Sequence, residues 1–594
     1  MKTRSLFYDA IRALPVYPRR VGGYAAAVLV VAALARTAQP AAFTSWLLAA
    51  ALIAVIAVTG WWLFREVMPS QTTSGVIARR GDREQRAGGV ASIWDVGERA
   101  SRKALRLQAP ILRPSLQRTR RRAVDPSAVG VLVARTGICR WPLRHWQELW
   151  SSVEDTTLRI GGPRVGKTIA LACYGLDTPG ALITTSTKLD LAAMVHPARR
   201  DRAVHVFNPV GYGDVPSTIR WSILAGCDDY ATAIRRTADL LPQSTSPEAE
   251  HWFGKARTYL PVLLHAAAVA GRSVPEVMAW VRAIARDATA HVAELEIANA
   301  LDLTPNADEK IGLLNAFLSE PQNTKGSVIS MITPALAWVS DDAARHIGAA
   351  PLDAVNFDAR QLILGRETLH VIGQNQAGGP MAPLTSAFVA EIAHQARLLA
   401  ATMPGGRLDP PVTMLLDEAA IAVRLPLDQW SADFGGRGIT LHISVQSLSQ
   451  LEQTWGRAGA GTLKGNTGTL ILYGGGKDAD ELAAISSLCG ERWRRVVTED
   501  TEPLRKMPGV QRGEWEKVPV LTAAQISNMP PGQAVVLKRG LGGAFVGRTP
   551  TVLERKGWVA ASPADLVVGS TDDIDLRVVQ LPDGNVTSQQ GVVA

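Results

Sequence analysis

Eight residues constrain this chain more than any others: Gly161, Gly162, Pro163, Arg164, Val165, Gly166, Lys167 and Thr168. They fit G-x-x-x-x-G-K-[ST], the phosphate-binding loop. Its glycines let backbone N–H groups turn toward a pyrophosphate, Lys167 reaches the outer phosphates, and the Thr168 hydroxyl is placed to ligate Mg²⁺. The flanks agree with that reading. Residues 157–160 read as a short strand and 169–176 as the apolar start of a helix, whose N-terminus attracts anions. The expected ligand is therefore ATP with Mg²⁺.

A loop of this kind needs an acid at the end of a neighbouring strand. The apolar run 412–416 (VTMLL) ends in Asp417 and Glu418. Asp417 would hold the magnesium through water, and Glu418 would orient or deprotonate the attacking water. A further strand, 439–445 (ITLHISV), ends in Gln446, whose amide can sense a γ-phosphate. Runs at 181–184, 203–207, 369–372 and 469–473 also read as buried strands. Strands alternating with helices imply a mostly parallel sheet covered on both faces, with ligand at the carboxyl ends of the strands.

Between 226 and 335 the pattern changes to long helices. Residues 248–270 and 273–298 carry apolar residues at three- and four-residue spacing, and Ser273 with Glu276 can form a capping box. Trp252 and Phe253 belong to the core of this helical unit.

Charge is distributed unevenly. The chain has 594 residues and a formal charge of +9. Residues 1–125 hold 20 lysines and arginines against seven acids, and the rest is slightly acidic. The uncharged runs 21–35 and 41–64 are separated by Arg36–Pro40, and the second is long enough to span a bilayer. Arginines and lysines outside both runs place the two termini in the cytoplasm, with a small external loop. Arg118, Arg120, Arg121 and Arg122 would contact anionic lipid or a nucleic-acid backbone. The four cysteines, Cys139, Cys173, Cys227 and Cys489, have neither metal nor disulfide-scaffold spacing and read as buried thiols. Arginine outnumbers lysine, a bias associated with high-GC genomes.

These motifs resemble one family, the type IV coupling proteins, the TraG/TraD-like membrane ATPases of conjugation and type IV secretion. The densest similarity is LLDEAA at 415–420, GGRGI at 435–439, VQSLSQLEQTWG at 445–456 and LKGNTGTLILYGG at 463–475. GGPRVGKT, ITTSTKLDL at 183–191 and RWSIL at 220–224 look like the actinobacterial branch. The resemblance implies an α/β fold: a RecA-like P-loop domain with a mostly parallel sheet, an inserted all-α domain and an N-terminal two-helix transmembrane hairpin. The expected divisions are a hairpin at 1–65 (spans about 19–35 and 41–64), a basic juxtamembrane linker at 66–125, and the first part of the nucleotide domain at 126–225. The all-α insert follows at 226–335, the second part at 336–558 and an acidic flexible tail at 559–594. The family further implies a homo-hexamer in the inner membrane. It would pass relaxase-bound single-stranded DNA, or protein substrates, to a type IV secretion channel.

Lys167, Thr168, Asp417, Glu418 and Gln446 carry over directly. Many members have arginines both two and four residues before the isoleucine-like position of GGRGI. Here Arg437 is present, while the earlier position is Gly435. Arg437 is thus the candidate for an arginine finger acting on a neighbouring subunit, with Arg164 as a second option. Two other functions stay open: a membrane receptor that uses nucleotide only for assembly, and an FtsK-type pump for double-stranded DNA. The short acidic end of the chain leaves no room for the winged-helix domain expected of the latter.

Overall fold

The computed structural model describes residues 90–568 except 92, 137–146, 242–243, 245, 374–378 and 500–510. The expected hairpin 1–65, the linker up to residue 89, Cys139 and residues 569–594 lie outside the described residues. No helix among the described residues is long and apolar enough to cross a membrane.

The apolar runs become a parallel sheet. β3 (Thr157–Ile160), β4 (Leu182–Ser186), β5 (Val204–Phe207), β6 (Thr368–Ile372), β7 (Val412–Leu416), β8 (Ile439–Val445) and β9 (Thr469–Tyr473) pair in the order β9-β3-β8-β7-β4-β6-β5, all parallel. Helix Lys167–Leu176 packs on one face through Leu171 and Cys173. Helix Ala382–Thr402 packs on the other, where Phe388 stacks on Phe207 of β5 at 4.1 Å.

Four antiparallel strands extend this sheet to eleven, in the order β2-β1-β13-β12 outward to inward. They are β1 (Gly130–Arg135), β2 (Glu148–Ser152), β12 (Gln533–Lys538) and β13 (Phe545–Arg548), with β12 pairing to β9. The extension joins the chain's early and late segments and was not anticipated from the sequence. A separate hairpin, β10 (Glu491–Glu499) with β11 (Gln511–Pro519), stands apart from the main sheet.

Between β5 and β6 the chain makes a helical excursion. It leaves at Ser222 and returns at Ala349, where the two segments bridge. The excursion carries helices Tyr230–Leu240, Pro247–Val269, Val274–Ala285, Asp287–Leu301, Ala307–Ser319, Gln322–Leu336 and Asp342–Gly348. The stretch 273–298, read as one helix, is two, broken at Arg286, whose backbone is extended. The capping box forms: Glu276 accepts from the Ser273 N–H at 2.7 Å. Trp252 and Phe253 pack against the core.

Two other expectations change. Residues 93–125 are not a bare linker but hold helices Ile93–Arg99 and Arg102–Leu112 and the 3₁₀ turns Pro114–Leu116 and Arg121–Ala123. Leu105, Ala109 and Leu112, at helical spacing, bury against Val124, Val129 and Trp150. At the other end, the segment expected to be a coreless tail from 559 starts as packed chain. Ala561 and Leu566 are buried against Ala192, Val206 and Val215, and Asp565–Val568 is helical.

Candidate nucleotide site

The site sits where β3 and β7 end. β3 runs into Gly161, where an added Cβ would stand 2.7 Å from the Cβ of Tyr473, so only glycine allows the turn. The loop closes at Gly166, with φ +96°, and helix Lys167–Leu176 starts there. Its first N–H groups lack intrahelical partners and face the loop. One wall of the loop was missed in the sequence: Gly532, ahead of β12, donates its N–H to the Val165 carbonyl at 3.1 Å.

Lys167 is buried, and its ammonium donates to the carbonyls of Gly161 and of Gly162, the latter at 2.9 Å. Burial holds its pKa below the ordinary lysine value, while Asp417 and Glu418 act in the opposite direction. The Thr168 hydroxyl donates to Asp417 Oδ2 at 2.8 Å, joining the end of β7 to the phosphate loop. Asp417 is buried, and burial holds its carboxyl above the usual range against the pull of the Thr168 hydrogen bond. Its other oxygen, Oδ1, is buried without a partner.

Glu418 follows in left-handed backbone, φ +49°, a conformation that costs a non-glycine residue about 1 kcal/mol or more. Its carboxylate accepts from the Thr187 hydroxyl just beyond β4. Thr187 lies in ITTSTKLDL, but its contact with Glu418 spans 231 residues and has no local signature. Gln446 follows β8, beside the Gly161 N–H that reaches the Val445 carbonyl; its side chain is exposed and its own N–H donates to Gln450 at 2.9 Å.

The remaining candidates lie elsewhere. Arg164 is exposed on the loop at φ +61°. Arg437 sits in the turn Gly435–Arg437 before β8, so the seven-residue strand separates it from Gln446 by about 20 Å. Its guanidinium is held by both oxygens of Asp433, at 2.8 and 2.7 Å, and Arg397 shares that carboxylate. Arg118, Arg120, Arg121 and Arg122 are exposed. The segment before them is tied by Arg113 and Ser115 to Asp409, which precedes β7. They thus lie toward the end of the sheet opposite the phosphate loop.

A cationic loop, a threonine hydroxyl and a buried acid with one unpartnered oxygen fit a divalent ion bound to a polyphosphate. Thr168 and Asp417 would hold it, and it would neutralise phosphate charge.

Residues 411–531 match the family model described as the TraM recognition site of TraD and TraG. None of the curated proteins matches the chain. Among solved structures, the unbound monoclinic form of the bacterial conjugative coupling protein TrwB lacking its first 70 residues is similar. It has a TM-score of 0.52 and 19% identity, covering 69% of this chain and 87% of that one. Its trigonal form in complex with sulphate gives a TM-score of 0.50 and 18% identity, covering 69% and 88%.

Proposed function

Starting from a chain with the TraG/TraD pattern over 411–531 on the fold of a conjugative coupling protein, we propose a membrane-anchored ATPase of conjugation or type IV secretion. It couples ATP hydrolysis to delivery of DNA or protein substrates into a channel. The observation that carries this reading is the 2.8 Å hydrogen bond from Thr168 to Asp417, which makes the phosphate loop and the acidic strand end one site. In the proposed cycle Lys167 leaves the loop carbonyls for the outer phosphates. Glu418, aimed by Thr187, accepts the proton of the attacking water, and Gln446 orients that water.

Arg437 stands too far from its own phosphate loop to act there. In the proposed hexamer it serves a neighbour's site, after release from Asp433. The two N-terminal spans hold the ring at the inner membrane with both termini cytoplasmic. Single-stranded DNA with its relaxase, or a protein substrate, is the cargo.

Lys167→Ala tests the motor directly. Phosphate release by the full chain in detergent, with single-stranded DNA, should drop at least 100-fold, and transfer from a donor strain should stop, while membrane insertion is kept. Wild-type transfer by this variant rejects the motor. Wild-type transfer combined with no hydrolysis by either protein favours a receptor that uses nucleotide for assembly.

A further inference from the structure

Residues 101–124 hold eight lysines and arginines and no acid. Three of the eight are engaged inside the fold: Arg102 with Glu148, Arg106 with the Val124 carbonyl at 2.9 Å and Arg113 with Asp409 at 2.8 Å. The other five, Lys103, Arg118, Arg120, Arg121 and Arg122, are exposed and have no carboxylate partner among the described residues. The loop that carries the four arginines closes back on helix Arg102–Leu112, because Arg113 is tied at one end and Val124 packs with Leu105 at the other.

That helix adds an apolar component. Its stripe of Leu105, Ala109 and Leu112 is already buried. Leu107 and Ile111 lie one turn apart on another side and are 48% and 73% exposed. Lys103 stands one turn before Leu107 on the same line. One helix face thus presents a cation followed by two aliphatic side chains, with the arginine loop at its border.

The place of the helix in the sheet says what this face meets. Arg407, in the segment before β7, donates to the carbonyls of Ile111 at 2.8 Å and Leu112 at 3.1 Å. The helix therefore ends where β7 begins, opposite Asp417. The chain enters the fold at that same end. Val90 bridges Ala544, and from there β13 runs to Thr549, whose N–H reaches the Gly532 carbonyl beside the phosphate loop. Residues 65–89 alone separate Val90 from the uncharged run 41–64, which is long enough to span a bilayer. The span thus leads into the end of the sheet that carries the five unpaired bases. A bilayer surface with anionic lipid partners both components, headgroups for the cations and the acyl boundary for Leu107 and Ile111. A nucleic-acid backbone partners only the cations.

We propose that helix Arg102–Leu112 lies on the anionic surface of the membrane that anchors the chain. Leu107 and Ile111 reach the acyl boundary, and Lys103, Arg118, Arg120, Arg121 and Arg122 sit among the headgroups. The inference rests on the proposed anchor and adds to it a second, lipid-dependent contact that turns the phosphate loop away from the bilayer.

The test places an environment-sensitive fluorophore on Ile111→Cys in the full chain, reconstituted in vesicles of phosphatidylcholine alone or with about one-third phosphatidylglycerol. The native chain, in which Cys173, Cys227 and Cys489 are buried, supplies the labelling background. Anionic vesicles should shift the emission to the blue and raise it about threefold or more, and spin-labelled lipid should quench it. The same probe on Leu295→Cys, a residue 50% exposed between Glu294 and Glu296, should not respond. Adding Arg120→Glu, Arg121→Glu and Arg122→Glu should remove the response at Ile111→Cys, and the three Arg→Gln changes should reduce it by less. Equal emission in the two vesicles overturns the proposal, as does an equal response at Leu295→Cys or one that survives charge reversal. A larger response to a single-stranded oligonucleotide in neutral vesicles assigns the face to nucleic acid and also overturns it. Alkaline extraction separates the two levels. A chain stripped from the vesicles rejects the anchor and the docking together, whereas a retained chain with a silent probe rejects the docking alone.

Discussion

The two faces of the parallel sheet are both buried, yet they are built from different chemistry. On the side of helix Ala382–Thr402, β8 contributes Ile439, Leu441, Ile443 and Val445, and its neighbours add Leu158, Ile160, Ile183, Leu369 and Val371. On the side of helix Lys167–Leu176 the same strands bury Thr157, Arg159, Thr184, His370, Thr440, His442 and Ser444. Several of these polar groups pair with one another. Thr157 pairs with His442 at 2.8 Å, Thr184 with His370 at 2.7 Å, and the Arg159 guanidinium lies 4.3 Å from the Tyr174 ring. Asp417 continues the same alternation, two residues beyond Leu415. Asp417 is thus the last member of a buried polar row, whereas the strands' opposite side is mainly apolar, with Thr185 a buried exception. An alternating strand pattern therefore does not always mark a wet face.

If the faces differ in this way, their substitutions should fail differently. The largest effect belongs to the apolar face. Phe388 is fully buried among Phe207, Trp221 and Phe357. Phe388→Ala should cost about 3–5 kcal/mol, read as a lower urea midpoint that is the same shift at pH 7.5 and pH 5. A shift that varies with pH would blur the distinction between the faces.

The polar face should answer to pH instead. Burial pushes His370 down to about 3, and His442 is also held well below its ordinary value. The unfolded chain takes up these protons near 6.5, so the stability each neutral histidine contributes is complete above that pH. It is lost as pH falls toward 3. By pH 5 the loss from His370 is about 2 kcal/mol. Between pH 7.5 and pH 5 the urea midpoint of the native chain should fall more than that of His370→Leu. Parallel changes would remove the titrating layer from the account.

The smallest effect tests the mouth of the polar face. Thr187→Val removes the hydroxyl that holds Glu418, worth about 1 kcal/mol, so hydrolysis should slow about fivefold with little change in KM. A change in KM alone would mean that Thr187 serves binding and not the aim of the base.

Much of this arrangement is legible in the sequence, for local reasons. The seven parallel strands are short apolar runs between turn residues, and the phosphate loop with the Asp417–Glu418 pair has a fixed spacing. What escapes has non-local causes. β1 and β13 are short, mixed segments whose partners lie more than 400 residues apart. Helix Arg102–Leu112 hides its stripe of Leu105, Ala109 and Leu112 among arginines, so a charge count reads it as linker. Leu566 looks like part of a polar end until Val206 is placed beside it.

The interleaving of early and late strands also sets when the site can exist. β3 pairs only with β8 and β9, so the phosphate loop has no flanking strand until residue 445 has been made. At about 5–20 residues per second, that is a wait of roughly a quarter-minute to a minute after β3 is made. β1 waits longer still, for β13 near residue 548. A nascent chain therefore carries its glycine-rich loop as unpaired peptide through nearly half of its synthesis. The nucleotide loop gains its first flanking strand only when about three-quarters of the chain has been made.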